Sequence, residues 1–231
     1  METPAVLYED NHLLILNKPA GWLVQGDKTG DYTLTDWGKD YIKEQYKKPG
    51  AVFLNPTHRL DRPVSGIVVF GRTSKGTERM TKLFRDDQIK KSYLTIVNDK
   101  PKIEIDTIVH YLKKDTIKNV AKAYAEEKKG TKRAELYYEM IWRFKGHSLM
   151  LVEPKTGRPH QIRVQMRALG CPIKGDLKYG YPKPNRDKSI SLHAFKLSFE
   201  HPVKKEQMEM LCQPEGELWE PYKKPINELG R

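Results

Sequence analysis

The chain contains the segment His58-Arg59-Leu60-Asp61-Arg62-Pro63-Val64-Ser65-Gly66, which runs directly into Ile67-Val68-Val69-Phe70. A short apolar run bounded by turn residues is typical of a buried strand. Pro63 disfavours helix at the residue before it, and Gly66 permits a sharp bend of the backbone. The pattern therefore predicts that Asp61 lies on a loop at the entrance to a core strand, where a rigid scaffold holds it within reach of a ligand.

Asp61 stands close to two arginines, Arg59 and Arg62, and this arrangement has two interpretations. In the first, Asp61 is a structural carboxylate paired with an arginine on a surface turn. In the second, a nearby arginine keeps the carboxylate ionised and available as a nucleophile, while the arginines hold phosphate groups through paired hydrogen bonds. The residues alone leave both interpretations open.

The composition favours a nucleic-acid partner. The 231 residues include 42 Lys and Arg against 30 Asp and Glu, a formal charge of +12, and such an excess attracts polyanions. Cys171 and Cys212 are too few for a disulfide framework. Because no segment has the pattern of a signal peptide or the length of a membrane span, we expect a cytoplasmic protein without a membrane partner. A monomer is also expected.

The apolar periodicity predicts an α+β domain in which strands dominate and three helices are present. The strands are expected as two short ones around an Asp10-Asn11 turn within 6–18, one after Gly66, one over 92–97, an antiparallel section over 103–152, and one over 190–199. The helices are expected after a cap at Thr33 or Thr35, after a cap at Ser74, and from Pro159 to Gly170. In the tail, Leu218 and Trp219 are candidates for docking onto the domain.

Other chemistries have less support in the sequence. The seven histidines form no H-x-x-x-H pair and the cysteines form no C-x-x-C pair, so no metal site is predicted. Ser65 lacks the first glycine of a nucleophile elbow, and the glycine patterns that bind nucleotide phosphates are absent, so no cofactor is predicted. Tyr93 and Arg163 fit either ordinary structural roles or roles at a nucleic-acid site.

Several segments, taken in chain order, resemble the RluA-type RNA pseudouridine synthases. They are ILNKPAGWLVQ, HRLDRPVSG, KSYLTIV, GRPHQIRVQMRALGCPIKGDLKYG and SLHAFKLSFEHP. The second and fourth are the most specific, and together the five cover nearly the whole chain. One departure is visible, since Val64 stands where the family usually has Thr.

The resemblance implies roles for individual residues. Asp61 is the expected nucleophile, Tyr93 is expected to pack against the target base, and Arg163 is expected to pair with Asp61. Leu192 is expected as an apolar wall of the base pocket. Residues expected to bind RNA are Arg59, which would also fill the space left by a flipped nucleotide, Arg62, Arg158, His160 and Gln161.

The resemblance also implies a fold and an activity. The expected fold is a single catalytic domain over 1–231, with a core of about 6–202, a C-terminal tail over 203–231 and no separate N-terminal RNA-binding module. It would contain a mixed, mostly antiparallel sheet and a basic central cleft. The expected activity is isomerisation of uridine to pseudouridine in a stem-loop of ribosomal or transfer RNA, with the target base flipped out. The alternatives are a non-catalytic RNA-binding or ribosome-assembly protein and a base-excising glycosylase.

Overall fold

The computed structural model describes residues 3–230, which form a mixed α+β fold. The strands are β1 Ala5–Glu9, β2 Leu13–Lys18, β3 Asn55–Pro56, β4 Ser65–Gly71, β5 Lys90–Asn98, β6 Ile105–Asp115, β7 Val120–Tyr124, β8 Lys132–Phe144, β9 His147–Pro154, β10 Leu192–Glu200 and β11 Gln207–Leu211. The helices are α1 Leu34–Gln45, α2 Ser74–Arg85, α3 Gln161–Ala168 and α4 Lys223–Leu229, with 3-10 turns at Leu177–Tyr179 and Glu220–Tyr222. The predicted strands are all present.

The described residues divide into two units by their internal contacts. Unit 1 contains 3–90 and 194–212, and unit 2 contains 91–193 and 213–230. The single catalytic domain and the basic cleft expected from the sequence stay predictions, and each unit is described by itself.

Unit 1 is built on two strands that are buried on both faces. β2 pairs with β1 on one side and with β4 on the other, both antiparallel, and β10 follows β4 in the strand order. Residues 13–16 of β2 and 67–70 of β4 have no exposed surface. Met80 of α2 packs on one face of these strands, and Leu34 and Ile42 of α1 pack on the other. Because helices cover both faces, the strands read as continuous apolar runs without alternation.

The two helices of unit 1 begin with threonine caps. Thr33 Oγ1 accepts a hydrogen bond from Asp36 N (3.2 Å), and the Asp36 carboxylate accepts one from Thr33 N (3.0 Å), which forms a reciprocal capping box. Thr33 is thus the cap of α1. The predicted Ser74 cap of α2 is wrong, because Thr73 has the extended backbone of a cap and its Oγ1 accepts from Gly76 N (3.0 Å).

Unit 2 contains an antiparallel sheet in the order β5-β9-β8-β6-β7, which confirms the antiparallel section. Near the β6–β7 end, Leu112, Ala121 and Ala134 pack with Val164 of α3 and with Tyr179. β7 is the last strand in this order, so α3 lies against an edge of the sheet.

The start of α3 differs from the prediction, which placed Pro159 in the first turn. The helix begins at Gln161, because His160 takes a left-handed conformation (φ 54°) that interrupts the helix before that residue. The prediction of three helices is also wrong, because α4 adds a fourth. α4 buries Ile226, and the nearby Trp219 is 4 % exposed, as expected for a docking residue.

Gly66 at the start of β4 is a position where the fold requires glycine. Its φ is +111°, and a Cβ built there would lie 2.3 Å from the carbonyl oxygen of Ala194. Both residues belong to unit 1, and the obstacle is backbone, which cannot rotate away as a side chain could. The close approach of these two backbones therefore depends on the absent side chain.

We expect Gly66→Ala to lower the free energy of unfolding by about 2–3 kcal/mol more than Gly30→Ala. Gly30 is the matched control, because it also has a positive φ (+73°) in unit 1, but a Cβ added there would meet no atom within 4 Å. The control should lose only the conformational term of about 1 kcal/mol. Urea denaturation followed by circular dichroism measures the unfolding free energy of each variant. Equal losses would show that the close approach to Ala194 does not affect stability.

Candidate active site

The Asp61 loop, residues 58–66, is fastened to the segment that follows β2. Val64 N donates to the Asp61 carbonyl (3.0 Å) and closes a turn within the loop. Gly21 N donates to the Arg62 carbonyl (2.8 Å), and Arg62 Nε donates to the Gly21 carbonyl (3.0 Å). Asp61 is half-buried and Val64 is buried. The loop therefore presents Asp61 from a fixed backbone, and the buried Val64 contributes apolar packing.

A buried lysine, Lys18, lies beneath this loop. Its side chain has no exposed surface, and its Nζ donates to the carbonyl oxygens of Trp22 (2.8 Å), Pro19 (3.1 Å) and Arg62 (3.1 Å). Burial lowers the pKa of Lys18 to about 7, and the negative charge of Asp61 opposes that shift. The end of β2 and the Asp61 loop are thus joined through one amine.

The arginines of the loop differ in their surroundings. Arg59 is exposed. Arg62 is also exposed, but its Nη1 forms an ion pair with the Asp31 carboxylate (2.7 Å). The ring of His58 stacks on Phe84, with 4.2 Å between ring centroids, and its Nε2 accepts from Val69 N (3.1 Å). RNA binding by Arg59 and Arg62 stays a prediction.

In unit 2, Arg163 is held by a carboxylate that the sequence patterns did not indicate. The Arg163 side chain is almost fully buried, its Nε donates to Asp176 Oδ2 (2.7 Å) and its Nη2 donates to Asp176 Oδ1 (2.8 Å). The guanidinium carbon lies 5.0 Å from the centroid of the Tyr179 ring. A paired hydrogen bond on one edge and an aromatic ring nearby fix the plane of the guanidinium.

Tyr179 connects this arginine to the residue before α3. Its hydroxyl accepts a hydrogen bond from Ala121 N (2.8 Å) and lies 2.7 Å from His160 Nδ1. Because the oxygen accepts from the backbone amide, the phenolic proton is available for the imidazole nitrogen. The left-handed backbone of His160 places its ring beside Tyr179, so that His160 supports the arginine through the tyrosine.

The other residues predicted near α3 make contacts within unit 2. Gln161 is buried, its Oε1 accepts from Arg158 N (3.0 Å) and Thr156 Oγ1 (2.8 Å), and its Nε2 donates to the Glu135 carbonyl (3.0 Å). Arg158 Nε donates to the Arg133 carbonyl (3.0 Å). These bonds organise the chain before α3, and RNA binding by Arg158, His160 and Gln161 stays a prediction.

Tyr93 and Leu192 also belong to unit 2. Tyr93 is half-buried on β5, where it is paired with Val152 of β9, and Leu192 is 4 % exposed at the first position of β10. The pairing of Arg163 with Asp61 stays a prediction, as do the roles of Tyr93 and Leu192.

No role was predicted from the sequence for three residues that contact the Asp61 loop or Arg163. They are Lys18, Asp176 and Tyr179. Two signals could have indicated them. Lys18 ends the strand LLILNK two residues after its apolar run, and a charged residue is unusual in such a strand unless its amine is bonded. Asp176 and Tyr179 stand in the segment GDLKYG, where an acid and an aromatic residue follow a helix that carries a buried arginine. Within 3–230 no group of three or more His, Cys, Asp or Glu side chains is arranged to hold a metal ion, and no helix there could span a membrane.

Comparison with solved structures defines the fold. Human RNA Pseudouridylate Synthase Domain Containing 4 superposes with a TM-score of 0.78 at 21 % identity, covering 96 % of this chain and 92 % of that one. Human RNA Pseudouridylate Synthase Domain Containing 1 gives a TM-score of 0.71 at 25 % identity, covering 93 % and 84 %. The fold is therefore that of the pseudouridylate synthases.

Comparison of sequences shows the family. Residues 12–168 match the family model described as RNA pseudouridylate synthase. The dual-specificity RNA pseudouridine synthase RluA of Haemophilus influenzae is 33 % identical over 88 % of this chain and 90 % of that protein. The tRNA pseudouridine synthase C of Pasteurella multocida is 31 % identical over 94 % and 93 %. The ribosomal large subunit pseudouridine synthase C of Buchnera aphidicola is 32 % identical over 85 %, and this chain spans 63 % of its length. The chain belongs to the RNA pseudouridylate synthase family, whose members are isomerases.

We expect Asp176→Asn to lower the free energy of unfolding by about 3 kcal/mol, because it removes the carboxylate charge that the buried Nε and Nη2 of Arg163 bond. Asp31→Asn makes the same chemical change in the ion pair with Arg62, where the two side chains are 45 % and 44 % exposed. That control should lose no more than about 1 kcal/mol. Urea denaturation of the two variants in the same buffer measures the difference, and equal losses would contradict a structural role for the buried pair.

The lowered pKa of Lys18 predicts a pH dependence of stability. Between about pH 7 and the unfolded value of 10.5, the unfolded chain binds a proton at Lys18 that the folded chain has released. Stability contributed by this group therefore rises with pH across that window, by up to about 1.4 kcal/mol per pH unit. The difference in unfolding free energy between wild type and Lys18→Met, measured at several pH values, should change with this slope. If this difference stays constant with pH, Lys18 does not titrate between pH 7 and 10.5.

Proposed function

We propose that this protein isomerises specific uridines to pseudouridine in ribosomal or transfer RNA, with Asp61 as the nucleophile. The observation that carries the proposal is the Asp61 loop itself. Its sequence resembles the signature loop of the family except at Val64, and its backbone is fastened to the residues after β2 and to the buried amine of Lys18. The relatives are named for transfer RNA and for the large ribosomal subunit, which supports both classes of RNA as substrates.

The reaction requires only rearrangement of bonds. The bond from C1′ of ribose to N1 of uracil breaks, a bond from C1′ to C5 forms, and the hydrogen that leaves C5 is balanced by a proton gained at N1. A carboxylate suits this chemistry, because it can add to the sugar or to the base ring as a nucleophile and leave again unchanged. The step is neither an oxidation nor a reduction.

Arg163 is proposed to pair with Asp61 and keep it ionised. Asp176 engages Nε and Nη2, one edge of the guanidinium, and a guanidinium has five N–H donors, so its other edge can serve a second carboxylate. A cation close to a carboxylate lowers the pKa of the acid, which keeps the nucleophile charged at neutral pH. In this proposal Asp176 and Tyr179 hold the arginine, and the arginine holds the nucleophile.

The base must leave the RNA stack before Asp61 can act, because the reacting atoms of a stacked nucleotide are covered by its neighbours. We assign Tyr93 to the face of the flipped base, Leu192 to an apolar wall of its pocket, and Arg59 to the space that the base leaves. The formal charge of +12 favours binding to RNA. The side chains proposed to contact the RNA are those of Arg59, Arg62, Arg158, His160 and Gln161.

We expect Asp61→Asn to abolish turnover and to leave RNA affinity within about twofold, since affinity depends on phosphate contacts and the two side chains have similar volumes. The assay is release of tritium from C5 of uridine, using RNA labelled in cells that lack the gene. Asp99→Asn is the matched control, because it makes the same substitution at an exposed ion pair with Arg143.

Nucleoside analysis of the same reactions separates the competing activities. Pseudouridine supports the proposal, free uracil would indicate a glycosylase, and unchanged RNA from the wild-type protein would indicate a binding protein. Substantial turnover by Asp61→Asn would remove Asp61 from the role of nucleophile.

A further inference from the structure

Unit 2 contains a pocket that shares only Tyr179 with the residues placed around Arg163. It has a volume of about 410 Å³ and opens between β7, the C-terminal half of α3 and the 3-10 turn Leu177–Tyr179. This volume falls in the range of roughly 300–1,000 Å³ that is usual for small-molecule sites. Its residues include the apolar side chains of Val120, Ala121, Ala123, Val164 and Ala168.

Short side chains at an edge strand create the space. Ala121 and Ala123 of β7 and Ala168 of α3 leave a gap between strand and helix. One side of the gap is firmly held, because the Tyr179 hydroxyl accepts the hydrogen bond from Ala121 N (2.8 Å) and ties the 3-10 turn to β7. The pocket is therefore formed by segments that are bonded to each other, and its interior is apolar.

The charged residues that line the pocket are all cations. They are Lys122, Arg167 and Lys178, and no Asp or Glu within 3–230 lines it. Arg167 and Lys178 are exposed, and neither forms an ion pair with a carboxylate of the described chain. Lys178 Nζ reaches across to the Asn119 carbonyl (3.3 Å), at the turn between β6 and β7. A ligand that complements these groups carries negative charge and an apolar or aromatic part.

The charge of the chain around the pocket also favours a negatively charged ligand. Residues 113–133, which include β7 and the turns on either side of it, contain eight Lys and Arg against three Asp and Glu. The net charge of +5 over this segment is a large share of the +12 of the whole chain. Tyr124 at the pocket has Lys128 Nζ 4.6 Å from its ring centroid, so an aromatic surface is also present.

We infer that this pocket binds one unstacked nucleotide of the RNA substrate, separate from the uridine that reacts. The base lies against the alanines and Val164, and a flanking phosphate lies between Arg167 and Lys178. Aromatic or apolar surface for a base combined with cations for the backbone is the usual chemistry of single-strand recognition. The inference rests on the proposed function for its ligand, and it adds a second point of contact that would fix the RNA relative to unit 2.

The first test removes the charges. The probe is a fluorescent oligouridine of about 12 nucleotides, within the length that one single-strand-binding domain covers. The test protein is the double variant Arg167→Gln/Lys178→Gln. The control is Arg186→Gln/Lys188→Gln, which removes two positive charges from exposed positions of unit 2 that do not line the pocket. We expect the pocket pair to bind about tenfold more weakly and to have a salt slope reduced by about 0.7 for each phosphate that is no longer bound. If both double variants lose the same oligouridine affinity, only the overall positive charge matters, and the inference is overturned.

The second test fills the space without changing charge. Ala168 is exposed at the end of α3, so Ala168→Trp can occupy the pocket without entering the core, and Ala168→Ser is its control. We expect Ala168→Trp to weaken oligouridine binding by about tenfold at an unchanged salt slope, since it displaces a base and no phosphate. Wild-type affinity in a folded Ala168→Trp protein would overturn the inference.

Two further measurements separate the alternatives. Millimolar uridine 5′-monophosphate is expected not to displace the oligouridine, because a single nucleotide makes only one of the several phosphate contacts that bind the longer RNA. Displacement that Ala168→Trp abolishes would instead assign the pocket to a free nucleotide and overturn the inference. Tritium release is measured in parallel, so that loss of the proposed function and loss of this site are distinguished. RNA binding that depends on the pocket without any turnover would refute the function alone.

Discussion

The Asp61 loop is held to the residues after β2 by a buried amine that donates to three main-chain carbonyls, one of them in the loop. Lys18 has no exposed surface, so its donors must find partners inside the protein, and the three acceptors bonded to its Nζ are main-chain carbonyls. One of these is the carbonyl of Arg62, directly after Asp61. The cost of burying the amine is offset only while all three carbonyls stay in place. The position of the loop is thus set by main-chain geometry and not by the side chains that it presents to solvent.

Unit 2 also holds a buried cation, but the partner of that cation is a carboxylate and not a set of main-chain carbonyls. There the buried group is the guanidinium of Arg163, and its partner is the carboxylate of Asp176, supported by Tyr179 and through it by His160. In each unit, a buried cation is therefore held through contacts that involve several segments of the chain. Groups held in this way are pre-organised, and pre-organised charges stabilise a developing charge without the cost of reorienting at the moment of reaction.

Local patterns predicted most of the strands, because apolar runs and turn residues are local signals. They failed where a residue's role depends on distant partners. Ser74 and Thr73 are equally good caps by type, and only the backbone conformation selects Thr73. Pro159 favours a helix start, but the left-handed His160 delays it. The segment GDLKYG offers Asp176 as a candidate acid, but its contact with Arg163 joins side chains 13 residues apart, so the segment does not identify the partner.

The contact between Gly66 and Ala194 has a consequence for the order in which the protein is made. Unit 1 consists of two pieces of chain, 3–90 and 194–212, and the whole of 91–193 is synthesised between them. The backbone that packs against Gly66 is therefore absent while the first piece leaves the ribosome, and it arrives roughly 5–20 seconds later at ordinary rates of elongation. During that interval β4 has β2 as a neighbour but lacks β10. The nascent enzyme consequently carries an unfinished sheet edge. The strand after the Asp61 loop has β2 and the two residues of β3 beside it, and it gains β10 only after more than a hundred further residues have been added.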